Sequence, residues 1–193
     1  MHKFNPANKD KLDSEERKKS LPPKDVLERF GLERGATVAD IGAGTGYFSL
    51  PAVEMVGEKG FVYALDISDE MLAALRKKAE SRGINSNLEL IKSDEHGAEL
   101  TKVVDFILIS NVVHEVKDKD KFFSNYLANL KPGGKVAIIE WKKAEMEVGP
   151  PVQIRIFPEE LASLLSDYGL ETKEKIDISE KYYSLIAKKK TRD

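Results

Sequence analysis

The sequence predicts an α/β domain in which helices cover both faces of a mostly parallel sheet. Short apolar runs bounded by turn residues alternate with segments of helical periodicity, and neighbouring parallel strands need crossover connections of this kind. In addition, the first apolar run leads directly into a glycine-rich turn that opens a helix. At 193 residues, the chain has the length of one ordinary domain.

The composition excludes several classes of site. The chain has no cysteine, which rules out disulfides, thiolate zinc sites and cysteine nucleophiles, and the spacing of its three histidines matches no metal motif. Its 31 basic and 33 acidic residues give a formal charge of −2, so no overall field attracts nucleic acid. No apolar run of about 18 residues and no signal-peptide pattern is present. We therefore expect a cytoplasmic protein without a bound metal, a membrane span or a nucleic-acid partner.

An N-terminal extension, residues 1–34, is predicted to precede the main domain, residues 35–193. The first 20 residues are polar and alternate in charge, so they cannot form a core of their own. Two prolines at 22–23 then open a short helix whose apolar stripe stops at Gly31. This extension is either a lid over a site or a solvated segment.

Seven strands are predicted. Five belong to the alternating part of the chain: Thr37–Ile41, Phe61–Asp66, Leu88–Lys92, Val104–Ser110 and 135–141. The remaining two, 171–178 and 181–188, are separated by a short turn, which predicts an antiparallel hairpin. The sheet should therefore end in one antiparallel strand.

Helical periodicity fills the connections between these strands. It is found at 47–56, 68–82, 122–130 and 158–168. Pro51 implies that regular hydrogen bonding in the first of these helices begins a few residues after the glycine turn. The third is expected to end at Pro132, which two glycines follow.

The densest signal is the run VADIGAGTG at 38–46, where a strand meets glycines. Glycines let a backbone turn sharply and approach a ligand that a Cβ would hold off. A dinucleotide site would have the spacing G-x-G-x-x-G, whereas this chain has G-x-G-x-G. Asp40 at the strand end would repel a pyrophosphate but suits a ligand with a cationic amino group and no phosphate. S-adenosylmethionine (SAM) is such a ligand.

Acidic residues also follow the next two strands. Asp66 ends the second strand, where a carboxylate can accept hydrogen bonds from ribose hydroxyls. SAM and NAD both contain a ribose, so Asp66 alone does not choose between them. Asp94 and Glu95 follow the third strand and are either partners of an adenine amino group or ordinary helix caps.

Four runs of the chain occur in a characteristic order: VADIGAGTGYFSLP, VYALDIS, DFILISN and LKPGGKVAIIEW. They resemble the successive motifs of class I SAM-dependent methyltransferases, and most of all the group that contains ubiquinone and menaquinone C-methyltransferases. The resemblance covers roughly residues 26–188. It implies a Rossmann-like sheet of seven strands in the order 3-2-1-4-5-7-6, with the last strand antiparallel.

The resemblance also implies roles for the acidic residues. Asp40 would contact the methionine end of SAM, Asp66 the ribose and Asp94 the adenine. The full set of residues expected to bind the cofactor comprises Asp40, Gly42, Ala43, Gly44, Gly46, Asp66, Ile67, Asp94, Glu95 and Asn111.

The acceptor side is predicted at the end of the fourth strand, residues 111–116, because functional residues of open α/β sheets gather at the carboxyl ends of strands. His114 there is either a general base or a structural residue. Residues 149–152 are a second candidate for this side, together with the N-terminal lid.

We expect in-line transfer of the SAM methyl group to a small organic acceptor. The lack of cysteine disfavours arsenite as the acceptor, and the lack of an Asn-Pro-Pro motif after strand four disfavours amino groups of adenine or glutamine. Two other interpretations stay open: an NAD-dependent oxidoreductase, disfavoured by the glycine spacing, and a protein that binds SAM without transferring its methyl group. A homodimer is also left open.

Overall fold

The protein is a single sheet flanked by helices. The structure, a computed structural model, describes residues 14–84, 86–94, 97–98 and 100–191. The strands are β1 (Thr37–Ile41), β2 (Phe61–Asp66), β3 (Leu88–Lys92), β4 (Val104–Ser110), β5 (Leu130–Trp141), β6 (Leu170–Asp177) and β7 (Tyr182–Lys189). The helices are α1 (Glu15–Ser20), α2 (Pro23–Arg29), α3 (Ser49–Val56), α4 (Asp69–Ser81), α5 (Lys119–Ala128) and α6 (Pro158–Asp167), with 3₁₀ turns at Val113–Glu115 and Val152–Ile154.

The strand order is β3-β2-β1-β4-β5-β7-β6, which confirms the predicted topology. The first five strands are parallel to their neighbours, whereas β7 is antiparallel to both β5 and β6. β1 therefore lies at the point where the strand order reverses, between β2 and β4. In open α/β sheets, ligands bind outside the carboxyl ends of the strands at such a point.

The core has two layers because successive side chains of each central strand point to opposite faces. On one face the sheet packs against α5 and α6, with Phe123 and Leu165 fully buried. On the other face it packs against α2 and α3, with Leu27 and Ala52 buried. Burial on both faces explains why the strands are nearly continuous apolar runs.

Local sequence accounts for the helix boundaries. Ser68 caps α4 by accepting from Met71 N at 3.3 Å, and two acids in its first turn suit the positive end of the helix dipole. α3 begins only at Ser49, as Pro51 implied. Each bound of the first four strands coincides with the prediction, and the two hairpin strands differ from it by one residue at each end.

The boundary between α5 and β5 was predicted wrongly, since β5 begins at Leu130 and not at 135. α5 ends at Ala128 instead of continuing to Pro132, because Leu130 already belongs to β5 and pairs with Val104. A register shift after this pair carries β5 past the proline. Within the polar N-terminal segment the chain also forms the short helix α1, capped by Ser14, with acids in its first turn and basic residues in its last.

No helix formed by the described residues is both long and apolar enough to cross a membrane. Within the same part of the chain, no three histidine, aspartate or glutamate side chains are grouped so that they could hold a metal ion.

Candidate active site

A cavity of about 1460 Å³ opens at the carboxyl ends of the central strands. Its walls contain residues from the ends of β1, β2, β4 and β5, from α1 and from the loop that follows β5. Sites for one small molecule typically measure about 300–1,000 Å³. The cavity is therefore large enough to hold two small molecules together.

Asp40 lies in the wall of this cavity at the end of β1 and is only 2 % exposed. Its Oδ2 accepts a hydrogen bond of 2.5 Å from the hydroxyl of Ser49, the first residue of α3. Burial raises the pKa of Asp40 to about 6, against the lowering effect of the Ser49 hydrogen bond, and the nearby charge of Asp66 adds to the rise. A cationic group bound in the cavity would favour the ionised form of this carboxyl.

Asp66 holds the glycine turn by hydrogen bonds. Its Oδ2 accepts from Gly44 N at 2.7 Å and its Oδ1 from Ser68 N at 2.8 Å. Burial raises the pKa of Asp66, while these backbone hydrogen bonds oppose the rise. Because a carboxylate oxygen has more than one acceptor site, Asp66 can still accept from ligand hydroxyls.

The glycines of the turn have different surroundings. Gly42 and Gly46 have φ of 75° and 86°, and an added Cβ would collide with Val112 and Leu75 respectively. These two glycines therefore make room for protein side chains as well as for a sharp turn. Gly42, Ala43 and Gly44 line the cavity, whereas Gly46 lies outside its walls, in a separate groove.

The third strand end contributes Asp94 to the cavity wall. Its Oδ1 accepts from Gly97 N at 2.9 Å, so the side chain also closes a local turn. Glu95 lies outside the described residues. Ile67, which is 41 % exposed, lines the cavity next to Asp66, and its carbonyl oxygen accepts from Lys92 Nζ at 2.7 Å.

Asn111 follows β4 with a left-handed backbone, φ 58°. Its backbone N–H donates to the carbonyl of Ile139 at 2.8 Å, but its side-chain Oδ1 is buried without a hydrogen-bond partner among the described residues. Asn111 lines the cavity. Buried acceptors in folded proteins are nearly always satisfied, so this oxygen is suited to a donor on a ligand.

His114 and Glu140 form a buried pair at the cavity. His114 Nδ1 lies 2.6 Å from Glu140 Oε2, and the His114 backbone N–H donates to Oε1 at 3.3 Å. Burial lowers the pKa of His114, but its hydrogen bond to Glu140 and the charge of that carboxylate outweigh burial, so the net shift is upward. The other ring nitrogen, Nε2, lies 3.9 Å from Glu115 Oε1.

Helix α1 forms part of the cavity wall through Glu16, Arg17 and Ser20. The Arg17 guanidinium lies 4.2 Å from the ring centroid of Tyr47, whose hydroxyl donates to the carbonyl of Leu21 at 2.7 Å. Glu16 forms an ion pair with Lys181, next to β7. The described part of the N-terminal extension therefore packs on the cavity.

Comparison with known proteins identifies the family. A family model described as a methyltransferase domain matches residues 32–189. The crystal structure of a SAM-dependent methyltransferase from Aquifex aeolicus has a TM-score of 0.90 and 35 % sequence identity, over 96 % of this chain and 99 % of that one. The chain belongs to the SAM-dependent methyltransferases. Its cofactor is SAM, and an NAD-dependent oxidoreductase is not favoured.

Two further proteins are similar to parts of this methyltransferase or share its fold. The ubiquinone/menaquinone biosynthesis C-methyltransferase UbiE of Serratia proteamaculans is 36 % identical over 119 residues, 61 % of this chain and 47 % of the relative. This chain thus spans about half the length of the curated relatives it matches. The [4+2]-cyclase SpnF shares the fold, with a TM-score of 0.77 at 19 % identity over 90 % of this chain and 82 % of that one.

Sequence reasoning did not identify three residues of this methyltransferase that the cavity depends on. Ser49 holds Asp40, Glu140 holds His114, and Arg155 binds the loop after β5. Glu140 had a visible signal, because it is a charged residue within the otherwise apolar run VAIIEW and charged residues are almost never fully buried unless paired. Ser49 and Arg155 had none.

Proposed function

We propose that this methyltransferase transfers the methyl group of SAM to a small organic acceptor by in-line displacement. The observation that supports it most directly is the placement of two kinds of group in one cavity. Carboxylates line it at the ends of β1 and β2, and His114, which the fully buried Glu140 holds from behind, lines it after β4. The first set suits the cofactor and the second suits an acceptor.

The cofactor half is assigned from the polar groups of the strand ends. Asp40 would bind the ammonium group, Asp66 the ribose hydroxyls and Asp94 the adenine amino group. Asn111 Oδ1, which is buried without a partner among the described residues, would accept a further hydrogen bond from the amino-acid end. The chemistry supplied by bound SAM is an activated methyl group on a sulfonium, so the protein needs mainly to orient and desolvate the reactants.

His114 is proposed as the general base. Because Glu140 holds Nδ1, Nε2 is the ring nitrogen left to take a proton from the acceptor. The Glu140 carboxylate would then stabilise the imidazolium, and the upward shift of the His114 pKa agrees in sign with such stabilisation. An acceptor whose hydroxyl or carbon proton must leave during transfer fits this arrangement.

The acceptor half is proposed to be closed by two segments. Gly149 and Pro150 of the loop after β5 line the cavity, as does Arg17 of α1. This placement supports the interpretation of the N-terminal extension as a lid. Cytoplasmic location and the absence of a nucleic-acid partner stay predictions of the sequence, and a homodimer stays open.

Calorimetry with S-adenosylhomocysteine tests the cofactor half. Gly44 has φ 56° and its N–H donates to Asp66. Gly44→Val therefore strains the turn and places a branched side chain in the wall of the cavity. We expect binding by the wild type and none by the variant. Equal affinity in both would place the cofactor elsewhere.

A screen of phenols and acidic carbon compounds with radiolabelled SAM tests the transfer. Turnover of at least one compound, lowered about a hundredfold or more in His114→Ala, is the expected result. S-adenosylhomocysteine affinity should change by less than about a factor of two in that variant. Binding of the cofactor without turnover of any compound would favour a SAM-binding protein that performs no methyl transfer.

A further inference from the structure

Arg155 is an internal cation whose hydrogen bonds all go to one loop. The side chain is 3 % exposed and follows the 3₁₀ turn Val152–Ile154. Its Nε and Nη2 donate to the carbonyl of Pro150 at 2.9 and 2.7 Å. A second Nη2 bond reaches Val148 at 3.1 Å, and Nη1 donates to Lys142 at 3.1 Å and Ala144 at 2.7 Å.

These bonds use the full donor capacity of the side chain. A guanidinium has five N–H donors in a rigid plane, and here five bonds reach four main-chain carbonyls. The carbonyls belong to residues 142–150, a segment outside the strands and helices. Arg155 therefore supplies to this loop the hydrogen bonds that a strand or a helix would supply from its own backbone.

The loop held by Arg155 rests on Trp141. Gly149 has φ 98°, and an added Cβ would lie 2.8 Å from Cε3 of the indole, so the glycine backbone packs directly on the ring. The guanidinium carbon of Arg155 lies 5.6 Å from the indole centroid. The ring of Tyr182 packs against Trp141 as well, at a centroid distance of 4.5 Å.

This assembly forms the wall of the cavity beside His114. Four residues line the cavity: Trp141, which ends β5, and Val148, Gly149 and Pro150, which follow it. In the sheet, β4 separates β5 from β1 and its glycine turn. The cofactor residues Asp40 and Asp66 are on the far side of β4. The side chain of Arg155 itself is not part of the lining.

We propose that Arg155 is a positioning residue that holds the loop 142–150 against Trp141, and that it thereby sets acceptor binding without affecting cofactor binding. The proposal rests on the methyl transfer proposed above for the assignment of this wall to the acceptor. A preformed wall favours acceptor binding, because the loop is already ordered and binding does not carry the entropy cost of ordering it. Lysine cannot replace Arg155, since an ammonium has three donors and no planar fork.

The loop can be tested without knowledge of the acceptor, because Trp141 is the single tryptophan of the chain. We would measure quenching of its fluorescence by acrylamide in protein saturated with S-adenosylhomocysteine, in the wild type, Arg155→Lys and Arg155→Met. Quenching should roughly double in both variants as the loop opens. The affinity for S-adenosylhomocysteine should stay within about a factor of two.

A matched control separates positioning from general loss of stability. Leu165 is fully buried on α6 and does not line the cavity, so Leu165→Ala destabilises the fold without removing a group of the cavity wall or a hydrogen bond to the loop. We expect no change in Trp141 quenching in this variant at temperatures below its melting transition. Arg155→Lys serves if Arg155→Met does not fold.

The acceptor assay completes the test, with the compound that the labelled-SAM screen identifies. The acceptor KM of Arg155→Lys should rise about tenfold with kcat changed by less than about threefold, since uniform binding is lost and the reacting groups are intact. Unchanged Trp141 quenching, or a loss of cofactor affinity as large as the rise in KM, would overturn the proposal. If the screen finds no acceptor, the proposal of methyl transfer fails. The fluorescence result still decides whether Arg155 holds the loop against Trp141.

Discussion

Glu140 holds His114 by two hydrogen bonds, one to the ring at 2.6 Å and one to the backbone N–H at 3.3 Å. The carboxylate is fully buried and the histidine nearly so. Because the same carboxylate fixes both the position of the residue and the rotation of its ring, the direction of Nε2 is set before any ligand binds. A buried charge with such a partner is costly to leave unpaired, so Glu140 and His114 are expected to behave as one unit.

The first prediction is that Glu140→Gln lowers the pKa of His114. Burial lowers the pKa of His114 and remains in the variant, whereas the Glu140 carboxylate, which is the main cause of the net rise above the ordinary 6.5, is lost and only the smaller effect of the Glu115 charge is left to raise it. If His114 acts as a base, it must be neutral, so turnover falls as pH drops through its pKa. The acid limb of the pH–rate profile should therefore move to lower pH, with kcat reduced at least about tenfold.

Proton NMR measures the same pKa without an acceptor, since the chain has only three histidines. A raised pKa stabilises the fold at pH values below the pKa that His114 has in the unfolded state. This contribution is lost as the pH rises through the pKa of the folded state. Glu140→Gln should thus destabilise the protein more at about pH 6 than at about pH 9. A His114 titration unmoved by the substitution would contradict the coupling.

The second prediction concerns the two tasks of Asp66. Asp66→Asn replaces one carboxylate oxygen by an amide NH₂ group, which is a donor. The asparagine oxygen and this NH₂ group cannot accept from Gly44 N and Ser68 N as the two carboxylate oxygens do. We expect the cofactor affinity to fall by roughly 1.5–3 kcal/mol, the value for hydrogen bonds to charged groups. The melting temperature of the ligand-free protein should fall as well. Calorimetry and thermal denaturation measure the two effects, and an unaffected melting temperature would show that the glycine turn does not need Asp66.

The third prediction separates packing from ligand contact at Gly42. A Cβ on Gly42 collides with Val112, so Gly42→Ala should destabilise the protein by about 1–3 kcal/mol through overpacking, in addition to the strain of its positive φ. Adding Val112→Ala should restore part of the stability. Urea denaturation of the two single variants and the double variant gives the coupling free energy. If the changes in unfolding free energy of the two single variants simply add in the double variant, the collision with Val112 is relieved in another way.

Local sequence signals account for most of the fold. The first four strands end where turn residues follow apolar runs, and Ser68 and Gly83 bound α4 as their cap chemistry predicts. The end of α5 was predicted wrongly because the periodicity of Phe122 and Tyr126 continues through Leu130, whose side chain is buried in β5 instead. Tertiary pairing with Val104 overrides the local pattern there.

The lining of the cavity was predictable where a residue lies at the end of its own strand. Asp40 and Asp66 both line the cavity because the parallel topology brings strand ends together, and their roles in binding stay predictions. Ser49 and Arg155 were not predictable, since each acts on a group whose proximity depends on the folded chain. No local pattern distinguishes Arg155 from any other arginine of the chain.

The last prediction is that cofactor binding and the stability of the ligand-free protein respond in opposite directions to the ionisation of Asp40. Its pKa is raised from 3.8 to about 6, chiefly by burial. In the folded protein the neutral carboxyl is therefore favoured up to about pH 6. Its stabilising contribution is complete below pH 3.8 and is lost as pH rises through about 6; at 1.36 kcal/mol per pKa unit the loss is about 3 kcal/mol.

Binding should follow the opposite trend, because the ammonium group of S-adenosylhomocysteine prefers the ionised carboxylate. Calorimetry should show affinity that rises between about pH 5 and pH 7, with proton release on binding in this range. Asp40→Asn keeps the shape of the side chain and can still accept from Ser49. The variant should be more stable than the wild type at about pH 8. It should bind S-adenosylhomocysteine weakly, and its affinity should not rise between about pH 5 and pH 7.

Ser49→Ala provides the matched control for the role of Asp40. The Ser49 hydroxyl lowers the Asp40 pKa by bonding to the carboxylate, while Asp66 raises it and Arg17 lowers it by their charges. Removing the hydroxyl should move the rise in cofactor affinity to higher pH and leave the affinity on the alkaline side nearly intact. Binding that does not change with pH in the wild type would show that Asp40 does not hold the ammonium group. A pH dependence that persists in Asp40→Asn would assign it to Asp66, whose pKa is also raised by burial.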